Sequence, residues 1–349
     1  MNVFSAAQAV SPAIDRTRRF LFHPFRWSTY LKLAAVACIT EGFSANLNSS
    51  FNHSSSHNGG VYNAPFHMSN EVIALIVLAV LACFAIGIVV FYLVTRLRFA
   101  FFYSLLHQTS ELRPGWRLYR EQAMRFFKMS LLIGLLLLSV AISVMLPFGF
   151  KFFDIYRAVQ AGGHLDPVRM LLLLLAFIPV AMLLCLALWT VKVVLHDFML
   201  PHVALDDDSV EEAWAEVRSR IEAEPAKFFV YMLLRLILPI VAGIALFLVL
   251  AIPLVIVFGG LGLAAAGFNA LLANATGLVA VVYIAFEVLF GIVGVCVALF
   301  LGTTLGGPIA TWIRNYALLF YGGRYKPLGD ILFPPPPAPQ SDSGAPQAA

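Results

Sequence analysis

Charge is what this sequence has least of. Only 12% of its 349 residues are Asp, Glu, Lys or Arg while 60% are apolar, whereas a soluble domain carries about a quarter of its residues charged. That imbalance excludes the soluble classes. The basic residues form no dense Lys/Arg stripe interleaved with aromatics, so no nucleic-acid partner is expected. The four cysteines, Cys38, Cys83, Cys185 and Cys296, each stand alone inside an apolar block. None has the short spacing of a metal or redox site, and they read as small hydrophobes. Also missing are a phosphate-binding glycine loop, a nucleophile elbow and a His-Glu-x-x-His helix. Neither an enzyme nor a cofactor is expected. A basic start followed directly by an apolar run and a cleavage site is absent too, so the first apolar block is expected to stay attached.

What the chain does have is six apolar blocks, at 29–45, 71–95, 128–149, 168–195, 228–258 and 277–302. Most reach the roughly 20 residues that a helix needs to cross hydrocarbon. They lack the alternation of a membrane barrel, and in lipid only a helix pairs its own backbone. The expected fold is therefore an all-α polytopic membrane protein, with six transmembrane helices arranged as three hairpins and with cytoplasmic amphipathic helices. Its parts are an amphipathic N-terminal segment over 1–28, the transmembrane domain over 29–333 and a disordered Pro-rich tail over 334–349. The first block carries Lys32 and Glu41, and spans only if Lys32 snorkels and Glu41 sits near the far surface.

Basic residues set the orientation. Of the 23 Lys and Arg, all fall on one side except Lys151, Arg157, Arg169 and Arg235, the last lying within a block. The positive-inside rule then puts both termini in the cytoplasm. The uncharged 46–60 stretch becomes an external loop, and its sequons at Asn48 and Asn52, like that at Asn274, are triplets a polar loop makes by chance. Spans one, three and five are each preceded by a basic-aromatic entry, at 23–27, 125–128 and 227–229, which suggests a parallel repeat of hairpins. Two entries follow amphipathic helices, one with Trp116, Tyr119, Ala123, Phe126 and Phe127 on a face and one with Val210, Ala213, Trp214, Val217 and Ile221.

Several motifs carry chemical residue types. The run His196-Asp197 to His202 with Asp206 to Asp208 resembles a metal site in composition, yet Pro201 reads as a helix end and Ser209 to Glu212 as a capping box. His53 and His57, with His67, could approach a zinc ion only if their Ser/Gly-rich surroundings were helical. Gly302 and Gly306 have the spacing of a close helix crossing, although Gly307-Pro308 follows and suggests a break. The fifth block, Phe228 to Gly259, is longer than a bilayer core, so Pro253 is expected to kink or end it and 259–273 to form a separate surface element. Arg235 and Glu287, the deepest ionisable residues by sequence, are the candidate intramembrane ion pair.

The run from Asp197 to Gly243, with Glu212-Ala213-Trp214 and Lys227 to Arg235, and the close with Pro308-Ile309, Arg314 to Leu318 and Tyr325, resemble an uncharacterised family of bacterial multi-pass membrane proteins. That family is distantly like the membrane domain found beside glycerophosphodiester phosphodiesterases, whose catalytic domain has no counterpart here. The resemblance implies a bacterial inner-membrane location and no established activity. Two functions stay open. One is a non-enzymatic membrane partner, assembly or envelope-homeostasis component whose amphipathic helices lie on the membrane. The other is a transporter or lipid-handling protein with a path between hairpins, for which Pro179, Pro239 and Pro253 and the few buried charges speak. The bilayer is the one partner that the sequence names.

Overall fold

The computed structural model describes residues 4–42, 70–162, 166–272 and 278–334, and within 253–287 several side chains, that of Glu287 included, fall outside the description. Outside it too lie His53, His57 and His67, the three sequon asparagines and the tail from 335 onward. Among the described residues all regular structure is helical. In chain order the helices are α1 (Val10–Phe22), α2 (Trp27–Ala37), α3 (Asn70–His107), α4 (Arg113–Leu118), α5 (Arg120–Gln160), α6 (Pro167–Val193), α7 (Leu200–Leu205), α8 (Val210–Ala223), α9 (Pro225–Leu272), α10 (Leu278–Gly322) and α11 (Lys326–Leu332). Single π-helical segments extend α2 over Cys38–Gly42 and join α6 to α7 over Val194–Met199.

Five helical stretches are long and apolar enough to cross a membrane: Asn70–His107, Arg120–Gln160, Pro167–Leu205, Pro225–Ile252 and Val288–Gly322. The first block is the difference from the six expected, because α2 and its π-segment reach the limit of the described residues at Gly42. Each long helix has two unlike halves. Toward one end its apolar side chains stand exposed, as at Leu78 (67%), Leu136 (61%) and Leu175 (68%). Toward the other end the helices converge with α1, α2, α4, α7, α8 and α11 on a shared core that we call the base. Large exposed hydrophobics end at Leu93 on α3, at Leu186 on α6 and at Phe300 on α10.

The base is packed mainly with aromatic rings. Tyr231 of α9 stacks on Phe320 and Tyr316 of α10, with centroids 4.3 and 5.2 Å away, and Phe198 meets Phe228, Tyr231 and Tyr321. Such pairs add roughly 0.5–1.5 kcal/mol each beyond the area they bury. Both described ends of the chain meet here, since Phe4 packs on Phe333 and Arg324 Nη1 donates to the Phe4 carbonyl at 3.2 Å. Arg16 donates to the carbonyls of Leu105 and Leu106, which the end of α3 leaves without intrahelical partners. The capping box holds as read: Glu212 N–H donates to Ser209 Oγ, and Ser209 N–H to Glu212 Oε2 at 3.0 Å. The apolar face of α8 turns into the base, with Ala213 and Val217 buried and Trp214 left exposed.

Prolines break fewer helices than expected. α9 is one helical element of 48 residues, and neither ends at Pro253 nor yields a separate element over 259–273. Pro201 likewise opens α7 directly after the π-segment rather than ending the run, and Pro308 lies inside α10. A proline in mid-helix removes one hydrogen bond and can kink the axis. In apolar surroundings ending the helix would release several backbone groups, which costs more. The basic-aromatic entries are also unequal: Phe126 and Phe228 enter the core, whereas Trp27 is exposed.

α2 and α10 approach most closely at Gly307, one residue past the expected glycine pair. A Cβ there would lie 2.4 Å from Ala34 Cβ and 2.6 Å from its Cα, while one at Gly302 would meet nothing within 4 Å. Gly307→Ala should therefore lower the stability of the purified protein by about 1–3 kcal/mol through overpacking. Gly302→Ala should leave the thermal midpoint in detergent unchanged; equal midpoints for both variants would contradict this packing.

Candidate functional site

The base holds one carboxylate with no exposed side-chain surface, Asp197, in the π-segment after α6. Its Oδ1 accepts from Arg314 Nη1 at 2.8 Å, and its Oδ2 accepts from Arg235 Nε at 2.9 Å and from the Tyr231 hydroxyl at 2.8 Å. Arg235 Nη2 reaches on to Glu41 Oε2 at 3.2 Å. A carboxylate taken out of water needs this many donors, because its desolvation cost is several kcal/mol.

The two π-segments face each other across this cluster. A widened turn leaves backbone carbonyls out of register with the ordinary helical bonds, a frequent feature of functional sites. Here arginines take them up. Arg98 Nε donates to the Thr40 carbonyl at 2.9 Å, and Arg314 Nη1 to the His196 carbonyl at 2.7 Å. Arg98 Nη1 also lies 2.9 Å from His196 Nε2. A guanidinium only donates, so Nε2 presents its lone pair and the ring proton sits on Nδ1. That Nδ1 is buried without a partner.

Four cations, Arg98, Lys192, Arg235 and Arg314, thus surround two carboxylates, Glu41 and Asp197. Beside them opens a cavity of about 360 Å³ between α6, α9, α10 and the π-segment of α2. Its polar wall carries Lys192, His196, Arg235 and Glu41, and its apolar wall Trp189, Pro239 and Ile309. Lys192 forms no hydrogen bond or ion pair with the described residues.

Arg235 is deep in a helix, as its sequence position implies, and its described partners are Asp197 and Glu41; the side chain of Glu287 lies outside the described residues. Glu41 is not near a far surface. It sits at the level of Asp197, because α2 lies in the base and Arg235 draws the carboxylate in. Sequence reasoning weighed Asp197 only within a metal-like run and set it aside, and it passed over Arg98, Arg314 and Lys192 as site residues. The available signal was their position: each lies near the base end of its own apolar block, where several helices change character together.

A second polar cluster joins α7 to α8. His202, Asp206 and Asp208 offer ligand atoms within 4.8 Å of one another. Arg220 Nη1, however, lies 2.8 Å from His202 Nε2, so that nitrogen accepts and the Nδ1 facing Asp208 bears the proton. A protonated nitrogen is no ligand, and an arginine beside the ring opposes a metal ion. Burial and the neighbouring Asp206 and Glu216 push the Asp208 carboxyl above its ordinary value. The Tyr325 hydroxyl, bonded to Asp206, closes the cluster.

The Asp197 cluster makes a sharp expectation. Asp197→Ala and Arg235→Ala should each lower stability by about 3–5 kcal/mol, since each strands a buried charge. The double variant should lose less than the two together, by a coupling of about 1–3 kcal/mol in a double-mutant cycle. Strictly additive losses in detergent unfolding would show that the two do not share an interaction.

No curated protein and no solved structure matches this chain. A family model does, over residues 4–331, which takes in every described helix and the whole Asp197 cluster. The chain belongs to the family of unknown function DUF7544.

Proposed function

We propose that the protein is a six-span component of the bacterial inner membrane, with both termini in the cytoplasm, that acts without catalytic chemistry as a partner, assembly or envelope-homeostasis factor. One observation carries the reading: a rigid, ion-paired base stands beneath long helices whose apolar halves lie exposed. Exposed apolar surface of this extent is stable only in lipid. The base collects most of the Lys and Arg, as a cytoplasmic face does. Its polar groups bond one another, and no nucleophile and base pair off in a cleft among the described residues. With the first block, 29–45, taken as the sixth crossing, the spans pair as three hairpins whose described ends meet at the base.

The alternative, lipid handling, is favoured by one feature, the cation-lined cavity beside Lys192 and Arg235. The two readings differ in what stays bound. Purified from its own membranes in mild detergent, the full chain should retain a protein at fixed stoichiometry under the first reading. Recovery of lipid alone would replace it with the second.

Topology is tested separately. In a background lacking the four cysteines, an impermeant thiol reagent on spheroplasts should label Ser55→Cys and spare Ser343→Cys. Labelling of Ser343→Cys would reject cytoplasmic ends.

A further inference from the structure

We propose that the cavity between α6, α9 and α10 binds the phosphate of an anionic phospholipid, one without an amine in its headgroup. The inference rests on the reading that the exposed apolar halves lie in a bilayer.

Depth is the first argument. On α6 the exposed apolar run ends at Ala187, and Lys192 follows five residues later. At 1.5 Å per residue that is about 7.5 Å along the helix. The headgroup layer outside the hydrocarbon is roughly 5–8 Å thick on each side. The Lys192 ammonium and the cavity mouth therefore come to the level of lipid phosphates. Trp189, half-buried on the cavity wall, is the residue type that marks this layer.

Donor supply is the second. The network among Asp197, Glu41, Arg235, Arg314 and Arg98 satisfies its acceptors, but it leaves donors over. Lys192 has no partner among the described residues. The Nδ1–H of His196 has none there either, but it is sealed from the cavity. Arg235 spends Nε on Asp197 and Nη2 on Glu41, and its Nη1 makes no bond to the described residues. Lys192 and Arg235 both line the cavity. Two unspent donors need an acceptor that brings none of its own. A phosphate diester has two free oxygens with negative charge, and it is met by charge-assisted bonds.

Charge decides the class of headgroup. Among the described residues four cations face two carboxylates around this point, so one more anion relieves repulsion. An ammonium-bearing headgroup would set a further cation among them. The volume, about 360 Å³, is at the small end of ligand cavities and suits a phosphate with its glycerol. The acyl chains stay in the bilayer against the exposed faces of α9 and α10, where Ile244 and Phe300 project.

Lys192 gives the clean test, because it supports no described contact and Lys192→Gln should fold as the parent does. The full chain in mild detergent is titrated with phosphatidylglycerol, with phosphatidylcholine and with inorganic phosphate, and binding is read from native mass spectra and from the unfolding midpoint. Phosphatidylglycerol should bind and raise the midpoint. Lys192→Gln should weaken that binding about tenfold or more, the loss expected for one charge-assisted bond. Lys128→Gln, an exposed lysine at the start of the third block, should bind like the parent. Equal binding by Lys192→Gln and parent would overturn the site in favour of general surface attraction, as would equal binding of phosphatidylcholine. Lys192-dependent binding of inorganic phosphate without preference for the lipid would overturn the lipid assignment. Release of the protein from membranes by alkaline carbonate would sink the bilayer reading itself, whereas membrane retention without lipid preference sinks only this proposal.

Discussion

The Asp197 carboxylate is the point on which the base depends. Among the described residues it is the group that accepts from α9 and α10 together, through Arg235 and Arg314, with Tyr231 filling the remaining approach. Through Arg235 it also fixes Glu41 and hence the upper end of α2, and through the adjacent His196 it fixes Arg98 of α3. Four long helices and the N-terminal unit are therefore tied at one level. Aromatic packing fills the space beneath, but stacking is tolerant of small shifts, whereas three bonds on one buried carboxylate are not. Geometry at this level is set by charge, and packing follows it.

Such a device suits helices with two unlike halves. In lipid there is no hydrophobic drive that holds apolar helices together, since the surrounding tails are as apolar as the helices. The exposed halves meet at few points, as where Phe148 and Phe152 of α5 pack on Phe177 of α6, and their mutual placement owes more to the base. There water can again drive burial, and polar bonds are specific.

The sequence made the helices legible, because block length and the backbone's needs in lipid leave no other state. The capping box at Ser209 was legible for the same kind of reason: two local bonds need no tertiary context. Arg235 stood out as a lone cation in an apolar block. Its partners did not, since Asp197 is 38 residues away and Glu41 is 194 residues away, and nothing local links them. Glu41 was placed near the far surface, whereas α2 is held in the base by Gly307, which lets its backbone pass at contact distance, and Arg235 draws the carboxylate to the level of Asp197. The prolines misled in the opposite direction. Pro201 and Pro308 were weighed as stops, and Pro253 as a kink or a stop, by rules learned in water, where a freed carbonyl finds a solvent partner. In apolar surroundings it finds none, and continuing the helix is the cheaper course.

The π-segments link these observations. The second falls where α6 passes from its exposed half into the base, and each places an acid beside a freed carbonyl at that level, Glu41 with the Thr40 carbonyl and Asp197 with the His196 carbonyl. An arginine that bonds a carbonyl and a side chain at once is held at more than one point, so Arg98 and Arg314 cannot leave without exposing backbone as well as charge. Lys192 lies one residue before α6 passes toward its π-segment and shares in none of this. A cluster whose other cations are all bound, and which nevertheless keeps one ammonium unspent among the described residues at the lipid boundary, has the shape of a site completed from outside the chain. That is the physical reason to look for its missing acceptor in the membrane.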